Sequence, residues 1–212
     1  IELTGFRRYE ANLLVGADKV DGAPLVYEDN PTLPNLLGRV EHLSHMGMLV
    51  TDLTLIKPGA LHRANGGYLI LDAVKVLSQP FAWEALKRAL RAQRITIESL
   101  GTMMSLISTV SLEPEPIPLN VKIALCGEPE IYYLLEIYDP EFRELFKIAA
   151  EFDDSMRRTR EGEAGFARLL AALARREGLL PLERTAVARV IERCARQAED
   201  SERLSLRLEE AS

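Results

Sequence analysis

The chain has 212 residues, 47% of them hydrophobic and 27% charged, with a formal net charge of −6; that is enough for one large domain or two unequal ones. An aromatic share of 6% with 13 glycines and 11 prolines excludes low-complexity and collagen-like chains, and the acidic balance argues against indiscriminate nucleic-acid binding. No apolar run approaches the roughly 18–20 residues that cross a bilayer, the opening Ile1-Glu-Leu-Thr lacks a secretory pattern, and Cys126 and Cys194 form no zinc spacing or disulfide framework. The expectation is a cytoplasmic protein with neither a membrane nor a nucleic-acid partner.

Residues 6–15 and 24–29 read as short extended segments, joined by Gly16-Ala-Asp-Lys-Val-Asp-Gly22, whose glycines and aspartates suit a hairpin. Asn30-Pro-Thr-Leu-Pro34 is expected to break regular structure, because two prolines restrict their neighbours and remove donors. Residues 43–59 show no clear period and contain His45-Met-Gly-Met48 and Lys57-Pro-Gly59. The uninterrupted run Tyr68-Leu-Ile-Leu71, between Gly66-Gly67 and Asp72, predicts a strand buried on both faces of a parallel sheet.

A helix is predicted over residues 80–90, with Phe81, Ala85, Leu86 and Leu90 at helical spacing and Pro80 in its first turn. Residues 95–98 alternate like a strand. Residues 99–118 form an insertion ending in Glu113-Pro-Glu-Pro-Ile-Pro118, which cannot be a central strand. Val121 to Cys126 is a second buried strand ended by Gly127, helices follow over 129–137 and 140–146, and residues 147–152 read as a third strand. Beyond Asp154 all is expected to be helical, with apolar stripes Phe166, Leu169, Leu170, Leu173 and Leu182, Ala186, Val190, Cys194. Charge changes at the same place. From Ser155 the chain has 12 arginines and no lysine against 10 acidic residues, whereas the preceding part has 14 basic and 22 acidic residues. The boundaries read as an α/β domain over 1–154, a partial parallel sheet with inserted hairpins, and a small all-α domain over 155–212.

Asp72 ends the most hydrophobic strand, where an α/β sheet presents its ligand-binding edge. Two roles are open to it: a carboxylate holding a magnesium ion on nucleotide phosphates, or the N-cap of the next helix. A glutamate after it would polarise an attacking water, but the next residue is Ala73. No G-x-x-x-x-G-K-[ST] phosphate cradle and no Gly-Lys pair occurs. Either that loop lies upstream or the protein does not hydrolyse nucleotide. His42, His45 and His62 show no metal spacing and read as structural or surface residues.

The stretch Pro58-Gly-Ala-Leu-His-Arg-Ala-Asn-Gly-Gly-Tyr-Leu-Ile-Leu-Asp-Ala73, with the Trp83-Glu-Ala-Leu-Lys-Arg88 helix, resembles the AAA+ module of Lon-like ATP-dependent proteases, and more narrowly the bacterial Lon-C type and its relatives. Asn30-Pro-Thr with Asn35-Leu-Leu-Gly-Arg39, and Glu141-Phe-Arg-Glu-Leu-Phe-Lys-Ile148 leading to Phe152-Asp-Asp154, carry the same resemblance. It implies an α/β AAA+ core, lacking its Walker A segment, followed by a helical lid. Asp72 takes the place of the Walker B aspartate, with ATP and magnesium as the family's cofactors, and Ala73 departs from the glutamate of active relatives. Residues 99–118 match the hairpin before the sensor-1 strand, and Gly127-Glu128 lacks that sensor's usual asparagine. Arg143 falls in the arginine-finger region, or is a solvated helix arginine. Arg207 falls in the sensor-2 region, where a guanidinium could pair with a γ-phosphate, or is an ordinary surface arginine.

The resemblance further implies a homo-hexameric ring that passes unfolded protein substrates to a peptidase domain with a Ser–Lys dyad. No segment matching that dyad occurs here, so this polypeptide alone is not expected to cut peptide bonds. Met46, Met48, Met103 and Met104 are candidates for substrate-gripping pore loops, since thioethers adapt to varied sequences; core filler is the other role open to them. The leading function is the substrate-handling AAA+ module of a Lon-like serine protease. The alternatives are a degenerate, ATP-independent gating scaffold and, further off, a chelatase- or helicase-like motor, although residues 99–118 contain no Lys or Arg for nucleic acid.

Overall fold

A computed structural model describes residues 11–16, 22–45, 48–97, 112 and 114–207. Contacts divide the chain into two units, Ile1–Ile148 and Ala149–Ser212, each with its own apolar core. No helix among the described residues is long and apolar enough to cross a membrane.

The first unit is built on a three-stranded parallel sheet. Its strands are β1 (Leu25–Glu28), β6 (Tyr68–Asp72) and β9 (Lys122–Cys126), in the order β1-β6-β9. The register aligns Val26 with Leu69 and Ile123, and Glu28 with Leu71 and Leu125. Gly67 permits this pairing: a Cβ there would lie 2.0 Å from the Pro24 carbonyl oxygen, which accepts the Tyr68 N–H at 2.8 Å.

Between β1 and β6 the chain forms α1 (Leu33–Leu37), the short strand β2 (Arg39–Val40), the hairpin β3 (Leu43–His45) and β4 (Met48–Val50), β5 (Ile56–Lys57) and α2 (Ala60–Arg63). The Asn30–Pro34 stretch therefore starts a helix instead of ending order. The Thr32 hydroxyl accepts the Asn35 N–H, and Pro34 sits in the first turn, where its missing donor costs nothing.

Between β6 and β9 lie α3 (Ala73–Ser78), α4 (Ala82–Ala92), and a two-stranded base made by β7 (Arg94–Ile95) and β8 (Ile117–Pro118). This base bridges the ends of the inserted segment, as the prolines require of a sheet margin. The predicted strand over 95–98 shrinks to Arg94–Ile95. Helix α4 begins two residues after Pro80, which lies outside it; Phe81 at its N-cap adopts φ +63°. Ala82, Ala85, Leu86 and Ala89 are buried at helical spacing, and Ala, Leu, Arg and Lys favour the helix intrinsically. After β9 come α5 (Pro129–Tyr138) and α6 (Phe142–Leu145).

The expectation of strands buried on both faces is corrected. In β6 only Leu69 and Leu71 are fully buried, and Tyr68, like Leu25 and Tyr27 of β1, is exposed. Strand β9 is an edge in which exposed and half-buried residues alternate. The core gathers on one face, joining Leu69 and Leu71 to Leu36, Leu61, Leu86 and Trp83. The third predicted strand, residues 147–152, is not formed either: among the described residues the segment has no ladder partner, and Ile148 and Phe152 are 90% and 92% exposed.

The second unit holds α7 (Arg160–Arg176), α8 (Arg184–Gln197) and a short antiparallel pair, β10 (Ser155–Arg157) with β11 (Arg203–Ser205). It is not wholly helical, as the stripes alone suggested, because the segments flanking the two helices pair with each other. Thr159 caps α7 through the Gly162 N–H at 3.0 Å. Glu161 and Glu163 in its first turn and Arg175 and Arg176 in its last oppose the helix dipole. Phe166, Cys194, Ala195 and Leu204 form its core, while Leu169 of the predicted stripe is exposed. Burial pushes the Cys194 thiol up, leaving it a protonated apolar filler.

Candidate functional site

The parallel strands end together at an edge carrying Glu28 at the end of β1 with Asp29 after it, Asp72 at the end of β6, and Cys126 at the end of β9 with Gly127 after it. Asp72 stands opposite Cys126 in the register. One Asp72 oxygen accepts the Lys75 N–H at 2.9 Å, so this carboxylate does cap α3. The cap occupies Oδ1, and among the described residues no hydrogen bond to the other oxygen is found.

The sequence reading missed Lys75. Its ammonium pairs with the Asp29 carboxylate and lies in the field of Asp72 and Tyr27, while the Tyr27 hydroxyl donates to Asp29 at 3.3 Å. The hydrogen bond from Lys75 holds Asp29 below the usual carboxylate value, and its reciprocal holds Lys75 above the usual lysine value. The available signal was spacing: Lys75 is three residues after the strand-ending Asp72, so the first turn of the helix brings it back over the sheet edge.

Ala73 is buried. A Cβ placed on Gly127 would lie 2.9 Å from the Ala73 methyl. The two small residues therefore close the gap between the start of α3 and the end of β9. A side chain longer than alanine at 73 would have to be accommodated at a buried position beside Gly127.

The remaining candidates fall elsewhere. Arg143, in α6, is exposed and pairs with Glu136 of α5 at 2.7 Å. It makes its own contact, apart from those of Asp72. Arg207 belongs to the second unit, where its guanidinium lies 3.3 Å from Asp154. The Leu206 N–H donates to the Asp154 carbonyl at 2.7 Å in the same turn of chain. Met48 opens β4 and pairs with His45 of β3. Met46, Met103 and Met104 lie outside the described residues.

His62 is a core residue. Its Nδ1 accepts the Gly59 N–H at 3.2 Å, its Nε2 is buried without a partner among the described residues, and burial lowers its pKa. Among the described residues no group of three or more His, Cys, Asp or Glu side chains could hold a metal. A magnesium ion at Asp72 would have one protein carboxylate oxygen, with nucleotide phosphates and waters supplying the rest. That donor set fits the ion's usual manner of binding beside phosphates.

A second polar cluster, also missed, lies at the start of α6. Lys87 of α4 is buried, with its ammonium 2.9 Å from both Asp139 and Glu84 and 3.4 Å from Glu141. The Trp83 indole N–H donates to Asp139 at 2.7 Å, and the Lys87 ammonium lies 5.7 Å from the Trp83 ring centre. Burial pulls the Lys87 pKa down, but its hydrogen bonds to Asp139 and Glu84 outweigh this and raise it. Asp139 is the mirror case: burial raises it, while Lys87, Trp83 and the Glu141 N–H together hold it below its usual value.

A parallel sheet with helices on one face, an acidic residue at the end of its central strand and a separate helical lobe define an AAA+ α/β core followed by a lid. The sequence matches the LonB-like AAA domain over residues 21–153 and the archaeal LonB AAA+ ATPase LID domain over residues 181–212. The chain belongs to the LonB-like AAA family, a Lon-like AAA+ module as the resemblance implied.

A protein of Escherichia coli (strain K12) described as a Lon protease homologue is 34% identical over 106 residues, 50% of this chain and 17% of that protein. A crystal structure of NtrX from Brucella abortus superposes with a TM-score of 0.50 at 18% identity, covering 78% of this chain and 35% of that one. A second NtrX structure, in complex with ADP, has a TM-score of 0.47 at 18% identity over 76% of this chain and 32% of that one. The chain thus spans a minor part of each of these proteins.

Proposed function

We propose that this chain is the substrate-handling AAA+ module of a cytoplasmic Lon-like serine protease, working in a homo-hexameric ring that delivers unfolded protein to a peptidase domain. The observation that carries the reading is the match to the LonB-like AAA domain over residues 21–153, with Asp72 at the ligand-binding end of its central strand. ATP with magnesium would meet the module there, on the Asp72 oxygen left free by the cap. Met46 and Met48, with Met103 and Met104 of the second insertion, would grip substrate. Arg143 and Arg207 are the guanidiniums offered to phosphate.

One observation favours a second reading, a gate that works without ATP turnover. Ala73 is packed into the start of α3 against Gly127, and no carboxylate follows Asp72 to polarise a water. Calorimetry with ATP and magnesium, on the protein with its upstream residues, separates the two. Saturable binding abolished by Asp72→Ala supports the nucleotide-responsive module. Absence of binding alongside intact degradation of an unfolded protein overturns it in favour of the gate.

A further inference from the structure

The two insertions of the first unit return to the sheet side by side. The first lies between the paired strands β2 and β5 and returns through Gly59 into α2; the second lies between β7 and β8 and returns through Leu119 and Asn120 into β9. Asn65, just beyond α2, joins these return legs. Its side-chain oxygen accepts the Asn120 N–H at 2.8 Å, and its side-chain nitrogen donates to the Pro118 carbonyl at 2.8 Å.

This is the pairing that a main-chain residue makes in a parallel ladder, donating to one side of its partner and accepting from the other. Asn65 does both from its carboxamide, on either side of Leu119. The main-chain bonds from Gly66 to the Asn120 carbonyl at 2.7 Å and from Lys122 to the Gly67 carbonyl at 2.9 Å come next along the chain. The side chain thus extends the β6–β9 ladder by one step, onto the end of β8. A carboxamide is the same chemical group as a peptide; a carboxylate lacks the donor and a methyl lacks both.

Asn65 is fixed as firmly to the first insertion. A Cβ on Gly59 would lie 2.3 Å from both the Leu36 carbonyl oxygen and the Gly38 nitrogen, so the turn from β5 into α2 is wedged against α1. The Gly59 N–H donates to Nδ1 of the buried His62 at 3.2 Å. Strand β5, α2 and Asn65 therefore form one short, stiff leg. The bases of the two insertions also meet where Ile97 lies beside Gly38. That contact is dispersion from one methyl group towards a residue with no side chain, which is weaker than two hydrogen bonds.

We propose that Asn65 is a positioning residue that couples the two insertions, so that loosening the base of one is transmitted through its carboxamide to the base of the other. The coupling belongs to the fold of this unit and holds whether or not nucleotide is turned over. Its consequence for substrate handling, that the two candidate gripping segments act together, rests on the function proposed above.

Native-state hydrogen exchange of the chain tests this as a double-mutant cycle. The Glu41 N–H, which donates to the Leu55 carbonyl at 2.9 Å, reports on the first base. The Leu119 N–H, which donates to the Gln93 carbonyl at 2.8 Å, reports on the second, and the Leu206 N–H of the other unit is the control. Ile56→Val trims the buried side chain of β5 and should speed exchange at Glu41 by about fivefold. With Asn65 in place Leu119 should follow by about threefold, and Leu206 should not respond. In the Asn65→Ala background the Glu41 response should persist and the Leu119 response should vanish. Asn65→Asp keeps the size and the acceptor but not the donor, and should weaken the Leu119 response without removing it. A residue that merely added stability would speed exchange in its own variant yet leave the response to Ile56→Val unchanged, and that result would overturn the proposal. So would a Leu119 amide that ignores Ile56→Val while Asn65 is present, or an acceleration shared by Leu206, which would make the opening global. None of these outcomes bears on nucleotide binding or proteolysis, so a failure here is distinct from a failure of the proposed function.

Discussion

The two lysine–carboxylate clusters of the α/β unit pose the same electrostatic problem and solve it differently. At the sheet edge, Lys75 and Asp29 pair in solvent, where water screens them and either partner can turn to a ligand. Around Lys87 the ammonium is buried and held by Asp139, Glu84 and Glu141, with Trp83 binding the same Asp139 oxygen. One cluster is left adjustable where a ligand would arrive. The other is fixed into the aromatic packing of Trp83, Phe142 and Phe146, and it joins α4 to the chain leading into α6. Removal of a charge should therefore have very different consequences at the two places.

The largest effect is expected from Lys87→Met. It keeps the length of the side chain but leaves the largely buried Asp139 with only Trp83 and a backbone N–H. The expected loss is about 3 kcal/mol, read from urea unfolding at neutral pH. The sign with pH follows from the two shifts. Asp139 is held below its ordinary 3.8, so its contribution is present above that value and lost as acid protonates it. Lys87 is held above its ordinary 10.5, so its contribution is present below that value and lost as the pH climbs past it. The gap between wild type and variant should be widest between these limits and narrow towards pH 3. A gap that grows on acidification would show that the network is not an ion pair in solution.

Next in size is Ala73→Glu, the substitution that would write the hydrolytic glutamate back into the sequence. At this buried position, against Gly127, it must displace backbone or bury a carboxylate. A cost of about 2 kcal/mol is expected. A lower thermal midpoint without any gain of ATPase activity would match the packing. A stable variant that hydrolyses ATP would show that the gap opens readily and that the edge differs less from a working motor than its packing suggests.

What the sequence disclosed, and what it hid, follows the same division. The strand at Tyr68–Leu71, the capping position of Asp72 and the α4 stripe were legible, because each rests on residues adjacent in sequence or one helical turn apart. The open face of the sheet was not. An apolar run such as Tyr68-Leu-Ile-Leu71 looks alike whether one face or both are covered, and only tertiary packing decides. Residues 147–152 have strand-like composition, but a strand is defined by its partner, which composition does not supply. The β10–β11 pair was invisible for the converse reason: its segments are short, 48 residues apart at Ser155 and Arg203, and flank strong helices that dominate any local reading. The Lys87 cluster draws Asp139 from 52 positions downstream, which no spacing rule reaches. Of the candidate site, Asp72 could be found from sequence, whereas the Lys75–Asp29 pair required the parallel register that brings the ends of β1 and β6 side by side.

The smallest expected effect sharpens the comparison most. Lys75→Ala removes the ammonium paired with Asp29 and leaves it the Tyr27 hydroxyl, yet thermal stability should scarcely change. The pair lies in water, and what it contributes should fade further as salt rises. The consequence should instead be local. Without the ammonium, Asp29 loses the hydrogen bond that holds its pKa down, and that pKa should return towards the ordinary value of 3.8 when followed by carboxyl NMR through an acid titration. The edge also becomes more negative by one charge, next to the Asp72 oxygen that is not used by the cap. A midpoint unchanged within error, together with this upward shift of Asp29, would establish the sheet edge as an adjustable surface pair. A loss comparable to that of Lys87→Met would instead mean that Lys75 holds α3 onto the sheet, and that the two clusters are alike in kind.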